Sequence, residues 1–429
     1  MRLFIFHYHL QTGGVTRVIR SHVAAARDGT EAAEIILLTG RTPPDGDLGA
    51  DRVVVNPDWD YLDPGVAAAA CRPLFARIHE GLLRHVGPDD ILHVHNPNLG
   101  KNPVFTAALS ALAGDGMRVV LHLHDFAEDR PGNMSFIRRL VDALGEDLDR
   151  VMYPAAPRVL FGVLNTADRR RLIDADIAAA RIHWLPNPVA FPDDLPRDAS
   201  ACRAAICSRF ALDPGLPIFL YPVRVIRRKN IGEFILFACL FGDRAHWLVT
   251  RPPENPRERP GYEEWRRFAE TVGANVLFDV GMHADFPALM RAADRVVTTS
   301  RREGFGMVFL EPWLFGKPVV GRNLPHVTQD FLDTGLILNH LYDSLPVDEY
   351  ATDFASLSAS EQRRWIRQCL EDPAAGRRSK GIAAAAATLF AEVAESEIEH
   401  NRRQIEQKYS IRAYGQKLRR VYRALSEVR

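Results

Sequence analysis

The stretch Glu303–Pro325, which reads EGFGMVFLEPWLFGKPVVGRNLP, decides how the chain around it folds. The residues just before it, 295–300, read RVVTTS and are rich in β-branched side chains, as is typical of a buried parallel strand. Apolar spacing predicts a helix over Val308–Phe315, and Gly316 is the expected end of that helix. A second buried strand is predicted from Pro318. The stretch is therefore predicted to be strand, glycine-bearing turn, helix and strand.

The turn has features suited to a phosphorylated ligand. The free N–H groups and positive dipole end of a helix bind anions, and Gly304 and Gly306 let a phosphate approach the backbone without a Cβ in the way. Glu303 and Glu311, with seven residues between them, are suited instead to accept hydrogen bonds from neutral hydroxyls. The pattern predicts a diphosphate flanked by a ribose and a sugar ring, one on each glutamate. The simpler alternative is that Glu311 is an ordinary helix residue and Glu303 a first-turn charge favoured by the dipole.

Composition limits the class of protein. The chain has 429 residues, enough for two or three domains, with 47% hydrophobic and 25% charged residues and a formal net charge of zero. This neutral balance does not indicate a nucleic-acid partner. The five cysteines are scattered, which fits a reducing compartment, and no apolar run approaches the length of a membrane span. The sequence therefore predicts a cytoplasmic globular protein.

Strand and helix patterns alternate along both halves of the chain, which predicts α/β domains with doubly wound parallel sheets. A proline-rich segment, residues 184–196, separates the halves. We predict an N-terminal domain over residues 1–188, a C-terminal domain over residues 189–405 and a terminal segment over residues 406–429. Within that segment, the basic amphipathic stretch Arg412–Leu425 is predicted to pack against a core, with a membrane-surface helix as the alternative.

The string SRREGFGMVFLEPWLFGKPVV, residues 300–320, resembles the E-x7-E segment of the family 4 retaining glycosyltransferases, which have the GT-B fold. The resemblance extends over nearly the whole chain. It implies two Rossmann-like domains facing across a cleft, with C-terminal helices returning to the first domain. It also implies that Glu303 contacts the donor sugar and Glu311 the ribose. The turn whose amides then hold the diphosphate consists of Gly304, Phe305, Gly306, Met307 and Val308.

A basic cluster follows the first strand of the second half, in the string YPVRVIRRKN, residues 221–230. Clustered cations stabilise a diphosphate leaving group, although a solvated basic turn is the plain alternative. The resemblance assigns Arg224 and Lys229 to the diphosphate and leaves the two arginines between them without a role. Gly14 and Met282 are also assigned to the donor.

Three His-x-His pairs lie on or at the ends of predicted strands: His7/His9, His93/His95 and His122/His124. Residues two apart on a strand share a face, so each pair has the geometry of a zinc chelate. The doubly wound sheet and the lack of a further ligand motif nevertheless favour no metal site. The resemblance indicates that His124 meets the donor sugar near the reacting centre, which makes His124 and Glu303 the predicted catalytic residues. It also indicates that His95 faces the acceptor.

The remaining acceptor residues come from two segments of the first half. The string GGVTR, residues 13–17, resembles the family's glycine-rich first loop and assigns Arg17 to the acceptor. The segment 126–133 (FAEDRPGN) is too charged for a core and too rich in Gly and Pro for a helix. It is predicted to be a loop that grips a polar acceptor through Glu128 and Asn133, with a plain surface loop as the alternative.

Together these features predict a retaining, metal-independent glycosyltransferase. It moves a hexose from a nucleotide-diphosphate sugar to a hydroxyl acceptor, which is a glycan, a lipid-linked acceptor or a small polar molecule, and no cofactor is expected. A nucleotide-sugar epimerase on the same fold, a metal-dependent hydrolase using the histidine pairs and a non-catalytic sugar-nucleotide binder are the alternatives. One departure from the family is Thr250–Glu254, where a glycine-rich turn is usual.

Overall fold

The computed structural model describes residues 1–11, 13–44, 46–191, 198–347 and 352–427. The chain forms two compact units, the first made of Met1–Ala190 with Gln407–Arg429 and the second of Phe191–Glu406. Each unit is built on one parallel sheet with helices between successive strands. Among the described residues, no helix is both long enough and apolar enough to cross a membrane.

The strands of the first unit are β1 (Arg2–Phe6), β2 (Glu34–Thr39), β3 (Arg52–Val55), β4 (Ile91–His95), β5 (Arg118–Leu123), β6 (Val159–Val163) and β7 (Ile182–Trp184). They form a sheet in the order β3-β2-β1-β4-β5-β6-β7. The order reverses between β1 and β4, and ligands of doubly wound sheets bind at the carboxyl ends of strands at such a switch point. His7 follows β1 and His95 ends β4, so both lie there.

The helices between these strands are α1 (Gly14–Gly29), α2 (Cys71–Leu83), α3 (Pro103–Gly114), α4 (Pro131–Leu144), α5 (Leu148–Met152) and α6 (Thr166–Asp174). Alternate side chains of β1 enter two different cores. Phe4 and Phe6 join the core that contains α2 and α3, whereas Leu3 and Ile5 join the core that contains α1. Because both faces are covered, the strands have nearly continuous apolar sequences.

The strands of the second unit are β8 (Ile218–Arg224), β9 (His246–Arg251), β10 (Val276–Leu277), β11 (Arg295–Thr298), β12 (Val319–Arg322) and β13 (Leu341–Tyr342). The helices of this part of the chain are α7 (Ala199–Phe210), α8 (Ile231–Phe241), α9 (Arg259–Thr271), α10 (Phe286–Ala292), α11 (Glu311–Leu314), α12 (Pro325–Asp333), α13 (Ala359–Glu371), α14 (Pro373–Arg378), α15 (Lys380–Phe390) and α16 (Glu395–Tyr409). The strand order is β10-β9-β8-β11-β12-β13, so the switch point lies between β8 and β11. Lys229 follows β8 and Glu303 follows β11.

The last helix, α17 (Ile411–Glu427), packs on α1 in the first unit. The apolar stripe of the predicted terminal helix is 0–3% exposed: Tyr414, Leu418, Val421, Tyr422 and Leu425. Two glycines let the helices touch through their backbones. A Cβ built on Gly29 would lie 2.6 Å from the Cα of Gly415, and one on Gly415 would lie 2.6 Å from the carbonyl oxygen of Ala25.

The helix predicted over Val308–Phe315 is wrong in its start and its length. A 3-10 turn covers Met307–Phe309, and α11 contains only Glu311–Leu314. Pro312 is the physical reason, because it has no N–H to donate to the carbonyl of Val308 and its ring would clash with that carbonyl. The flanking strands are present as β11 and β12.

Candidate functional site

Lys229 and Glu303 meet at the switch point of the second sheet. Lys229 ends the 3-10 turn Arg227–Lys229, and its Nζ donates to Oε1 of Glu303. Nη1 of Arg228 donates to Oε2 of the same carboxylate at 2.6 Å. We call Arg228, Lys229 and Glu303 the donor cluster. Arg228, which the sequence left without a role, thereby gains a contact with a predicted catalytic residue.

The backbone at Lys229 is fixed by hydroxyl groups of the neighbouring strands. The Tyr221 hydroxyl donates to the carbonyl of Lys229 at 2.9 Å, and the Thr299 hydroxyl lies 3.1 Å from the same oxygen. The next residue, Asn230, has a φ of 50°, in the left-handed region. Tyr221 of β8 and Thr299, the residue just after β11, thus position the lysine from both sides of the switch point.

A buried ionic network holds the turn at Lys229 and Asn230 in place. Asn230 donates through Nδ2 to Glu233 at 2.9 Å, and Arg322 donates to the same Oε2 of Glu233 at 2.6 Å. Arg322 also donates to Asp353 at 2.7 Å, and the Tyr342 hydroxyl donates to Glu233 at 2.6 Å. Sequence patterns did not indicate this network, because its members are distant along the chain. Removing Arg322 would leave the fully buried Glu233 without its cationic partner.

The two cations of the donor cluster stabilise the charge of Glu303. Burial alone raises the pKa of Glu303, but the neighbouring cations Lys229 and Arg228 more than offset this and bring that pKa below its usual value. Burial lowers the pKa of Lys229, an effect that Glu303 opposes. Only 8% of the Glu303 side chain and 12% of the Lys229 side chain are exposed, so solvent screens this pair weakly.

Arg224 pairs with Glu254 at 3.0 Å. Glu254 belongs to the segment that departs from the family pattern, so the departure supplies a carboxylate to a predicted diphosphate-binding residue. Both side chains are more than a third exposed, which makes the ion pair weak.

The predicted diphosphate turn contains one glycine that folding requires and one that it does not. Gly306 has a φ of 90°, and a Cβ built on it would lie 2.5 Å from Cγ1 of Val327. Around Gly304, no atom of the described residues lies within 4 Å of a built Cβ, apart from its chain neighbours. Phe305 packs edge-on against Phe331, with 5.5 Å between ring centroids.

The helix that follows is too short to supply a strong dipole. Met307 and Val308 belong to the 3-10 turn, and Glu311 is the half-buried first residue of α11. A phosphate at this turn would therefore depend on backbone N–H groups rather than on the dipole of the predicted longer helix. Met282, at the end of the 3-10 turn Val280–Met282, is 60% exposed.

The histidines of the first unit gather on one face of its sheet. Ile91 of β4 and Val120 of β5 join the core that contains α1 and α17, so His93, His95, His122 and His124, at even spacing from them, face the same side. His22 of α1 lies against them and was missed by the sequence reasoning, because a single histidine in an amphipathic helix carries no motif. Its Nδ1 is 2.8 Å from Nε2 of His95.

The ring nitrogens bond to one another. Nδ1 of His95 lies 2.8 Å from Nε2 of His124, and Nε2 of His93 lies 3.2 Å from Nδ1 of His122. Burial lowers the pKa of His122 to about 4 and the pKa values of His95 and His124 well below the usual value. The rings are therefore neutral at physiological pH.

Two histidine triads in the described chain have ligand atoms close enough to share a metal ion: His22/His93/His95 and His95/His122/His124. The short contacts between ring nitrogens use the same lone pairs that a metal would need. A metal would have to replace these hydrogen bonds.

The other predicted acceptor residues are tied to the fold of the first unit. Glu128 accepts a hydrogen bond from the Tyr153 hydroxyl at 2.6 Å, and Nδ2 of Asn133 donates to the carbonyl of Leu99 at 2.6 Å. The prediction of a loop through residue 133 is wrong, because α4 begins at Pro131, a residue preorganised for the first turn of a helix. Gly14 and Arg17 are exposed in the first turn of α1.

Comparison with known proteins agrees with this architecture. A family model described as glycosyl transferases group 1 matches residues 245–354, a range that includes Glu303 and Glu311. Mannosylglucosyl-3-phosphoglycerate synthase of Petrotoga mobilis is 30% identical over 348 residues, covering 77% of this chain and 66% of that protein. Alpha-D-kanosaminyltransferase of Streptomyces kanamyceticus is 25% identical over 270 residues, covering 61% of this chain and 67% of that protein. The chain thus spans about two thirds of the length of these curated relatives.

A solved structure extends the likeness to the whole fold. HepE of Anabaena, crystallised in complex with UDP-glucose, has a TM-score of 0.62 and 15% identity, with 99% of both chains covered. Two parallel sheets with interleaved helices, matched over this length, define a two-domain α/β protein of the GT-B fold. The chain belongs to the group 1 glycosyltransferases, which confirms the prediction of a family 4-type glycosyltransferase. The retaining mechanism and the roles of the two E-x7-E glutamates stay predictions.

Proposed function

We propose that this enzyme is a retaining glycosyltransferase that moves a hexosyl group from a nucleotide-diphosphate sugar to a hydroxyl acceptor without a divalent metal. The observation that carries the proposal is the donor cluster, in which two cations and one carboxylate meet at the switch point of the second sheet. Its net charge is positive, as a diphosphate leaving group requires. A nucleotide sugar as donor is further supported by HepE, which was crystallised with UDP-glucose.

Within this proposal, the second unit binds the donor. Lys229 donates to the diphosphate with the protons that Glu303 does not accept, because an ammonium group has three donors. Arg224 exchanges the exposed carboxylate of Glu254 for a phosphate oxygen. Glu303, fixed by Lys229 and Arg228, accepts hydrogen bonds from the sugar hydroxyls, and Glu311 contacts the ribose.

The geometry of Glu303 favours a front-face reaction over a covalent intermediate. Each carboxylate oxygen already accepts a bond from a cation, which lowers its nucleophilicity. In the front-face step, the bond from the anomeric carbon to the phosphate oxygen breaks and a bond to the acceptor oxygen forms on the same face. The acceptor proton passes to the leaving phosphate. Catalysis then consists of positioning and charge stabilisation.

The first unit supplies the acceptor side of the proposal. His124 meets the transferred sugar near the reacting carbon, and His95 lies behind it at 2.8 Å. Arg17, Glu128 and Asn133 are assigned to the acceptor. Glu128 and Asn133 also have internal partners, so substituting either is expected to reduce stability as well as acceptor affinity.

The test compares two cations of the second unit. Lys229→Gln keeps a hydrogen-bond donor for Glu303 but removes the positive charge. We expect it to weaken binding of UDP, GDP or ADP, whichever binds the wild type, by about tenfold or more, equivalent to about 1.4 kcal/mol, and to leave the nucleoside unaffected. Calorimetry of the nucleoside and the diphosphate measures both values. Equal loss for nucleoside and diphosphate would contradict the role given to Lys229.

Arg203→Gln is the matched control. Arg203 pairs with Asp294, which comes just before β11, at the amino ends of the strands of the same sheet, so its loss should leave diphosphate affinity unchanged. Turnover is then measured with the matching nucleotide sugars after treatment with EDTA. Activity that disappears with EDTA and returns only with a divalent cation would overturn metal independence. Conversion of the donor sugar in the absence of any acceptor would indicate the epimerase instead.

A further inference from the structure

Five histidines and one tyrosine of the first unit form a continuous chain of hydrogen bonds. The chain begins where Nε2 of His122 lies 2.9 Å from the carbonyl oxygen of Leu185. It continues from His122 to His93 at 3.2 Å and from His93 to the Tyr422 hydroxyl at 2.9 Å. From Tyr422 it passes to His22, then to His95 and finally to His124, each step 2.8 Å long. We call these six side chains the histidine relay.

The carbonyl at one end sets the direction of every bond. A carbonyl oxygen only accepts, so His122 carries its proton on Nε2 and its Nδ1 is an acceptor. His93 must therefore donate from Nε2, and the Tyr422 hydroxyl must donate to Nδ1 of His93. A hydroxyl has a single proton, so Tyr422 has to accept from Nε2 of His22.

The same reasoning assigns the donor and the acceptor in the remaining hydrogen bonds, as far as His124. Nδ1 of His22 is now an acceptor, so His95 donates to it from Nε2. Nδ1 of His95 is in turn an acceptor, so His124 donates from Nε2. Each neutral ring has one proton, and burial, which lowers the pKa of these histidines, keeps the rings neutral. The outcome is an unprotonated Nδ1 on His124, the only member of the relay that is not fully buried.

Two close contacts in the fold allow the hydrogen bonds of the relay to form. A Cβ built on Gly162 of β6 would lie 3.1 Å from the ring of His122 and 2.8 Å from the side chain of Leu185, so a glycine is needed for His122 to reach the carbonyl. The backbone contact between α1 and α17 sets His22 beside Tyr422. The relay thus depends on two close backbone approaches, one at Gly162 and one between α1 and α17.

We infer that the histidine relay fixes the tautomer of His124 and that Tyr422, on the last helix, is a positioning residue for it. The relay presents a lone pair at Nδ1 of His124 as an acceptor toward a substrate hydroxyl. The tautomer assignment stands on the hydrogen bonds together with the neutrality of the buried rings. Its effect on turnover rests on the function proposed above, in which His124 meets the sugar.

The experiment removes one oxygen from the middle of the relay. In Tyr422→Phe, Nε2–H of His22 loses its acceptor, and a buried donor without an acceptor is unfavourable. The protons of His22, His95 and His124 are then expected to move to Nδ1. The hydrogen bonds between these three rings then run in the opposite direction, and the donor at the end of the series is Nδ1–H of the partly exposed His124. His93 and His122, still tied to Leu185, should stay protonated on Nε2. Nitrogen NMR of protein labelled in histidine distinguishes the two tautomers.

Kinetics provide the second readout. We expect Tyr422→Phe to lower kcat by about ten- to a hundredfold, as expected for a misplaced hydrogen bond to the reacting substrate, and to leave diphosphate affinity within about twofold. Tyr414→Phe is the control, since Tyr414 lies on the same helix, is equally buried and has a hydroxyl with no hydrogen-bond partner among the described residues. It should change neither tautomers nor kcat.

Three results would overturn the inference. One is a wild-type His124 protonated on Nδ1, which needs no variant to be seen. Another is a folded Tyr422→Phe protein with unchanged tautomers. The third is stoichiometric zinc, found by elemental analysis of the purified wild type and bound through the relay rings. If the tautomers change while kcat does not, the relay stands as a structural device, but its role toward His124 in catalysis, and with it Tyr422 as a positioning residue, is refuted.

Discussion

At the scale of single residues, the two glycines of the E-x7-E turn have different roles: the fold requires Gly306, whereas it does not require Gly304. Gly306 adopts a left-handed φ and packs against Val327, so any side chain there would disturb the fold. Gly304 has neither constraint within the described part of the chain. If Gly304 matters, the reason must be the close approach of a ligand to its backbone.

Gly304→Ala is therefore expected to fold normally and to bind nucleotide poorly. Its melting temperature should stay close to that of the wild type, because the new methyl group meets no described atom within 4 Å. Affinity for the nucleotide diphosphate should fall by about tenfold or more, since the methyl group would push the phosphate away from the amides. Thermal unfolding and calorimetry give the two values.

Gly261→Ala serves as the comparison for Gly304→Ala. Gly261 lies in α9 of the same unit, and it also has open space around a built Cβ within the described residues. It should alter neither property by much. Unchanged diphosphate affinity in Gly304→Ala would show that the turn does not contact the phosphate.

At the scale of elements, the contact between α1 and α17 links the end of the chain to the candidate catalytic histidine. The helices approach through Gly29, Gly415 and Ala25, and this approach brings His22 within 2.8 Å of the Tyr422 hydroxyl. The basic face of α17 stays outside, while its apolar stripe fills the core of the first unit.

Gly415→Ala should separate the two helices slightly. Alanine favours a helix over glycine by about 1 kcal/mol, but a Cβ here would lie 2.6 Å from a backbone oxygen, and overpacking typically costs about 1–3 kcal/mol. We expect a net loss of stability and a fall in kcat, because Tyr422 moves away from His22. Gly114→Ala, at the end of α3 with open space around it among the described residues, should be neutral or slightly stabilising. Equal stability of the two variants would contradict the close contact.

At the scale of the whole molecule, the buried histidines make the first unit sensitive to acid. Burial lowers the pKa of His7 and of His122 to about 4, and it lowers the pKa values of His22, His93, His95 and His124 well below the usual value. The unfolded chain takes up protons on these rings near pH 6.5, whereas the folded unit does not. The unfolded state thus binds more protons, so stability is fully present above pH 6.5 and is lost as the pH falls.

This loss matters because the stability of a domain is itself small. A ring that stays neutral in the folded unit costs up to about 1.4 kcal/mol per pH unit below pH 6.5, and all six rings act in the same direction. Asp168 acts in the opposite direction, because burial raises its pKa to about 6, but it is a single group. Domains are stable by about 5–15 kcal/mol, so several rings acting together should destabilise the first unit measurably as the pH falls below 6.5.

Hydrogen exchange measures this loss with the second unit as an internal control. After correction for the intrinsic exchange rate, peptides from β4 and β5 should lose protection as the pH falls from 7.5 to 5.5. Peptides from β8 and β11 should keep it. Burial raises the pKa values of Glu303 and Asp353, but their cationic partners more than offset this and leave both values below the usual range, so these carboxylates titrate only at lower pH. Constant protection of β4 and β5 over this range would contradict the acid sensitivity.

The sequence by itself determined the local alternation of strands and helices and hence the fold class. It also indicated Glu303, Lys229 and the three histidine pairs, because turn glycines, strand periodicity and clustered charges act over a few residues. It misjudged the helix after Gly306, although Pro312 was visible in the sequence. Pro312 has no N–H for the i→i−4 bond to the carbonyl of Val308, and its ring would clash with that carbonyl, so a longer helix cannot pass through this position.

Only the tertiary structure decided which distant groups meet. Arg228 and Lys229 reach Glu303 because β8 and β11 are neighbours at a switch point, and this pairing depends on strand order rather than on any motif. His22 and Tyr422 are separated by 400 positions, yet they join one hydrogen-bond chain because two glycines let their helices touch. Sequence periodicity shows which face of a strand a histidine occupies. The partner of each ring nitrogen is set by long-range packing, which no local pattern records.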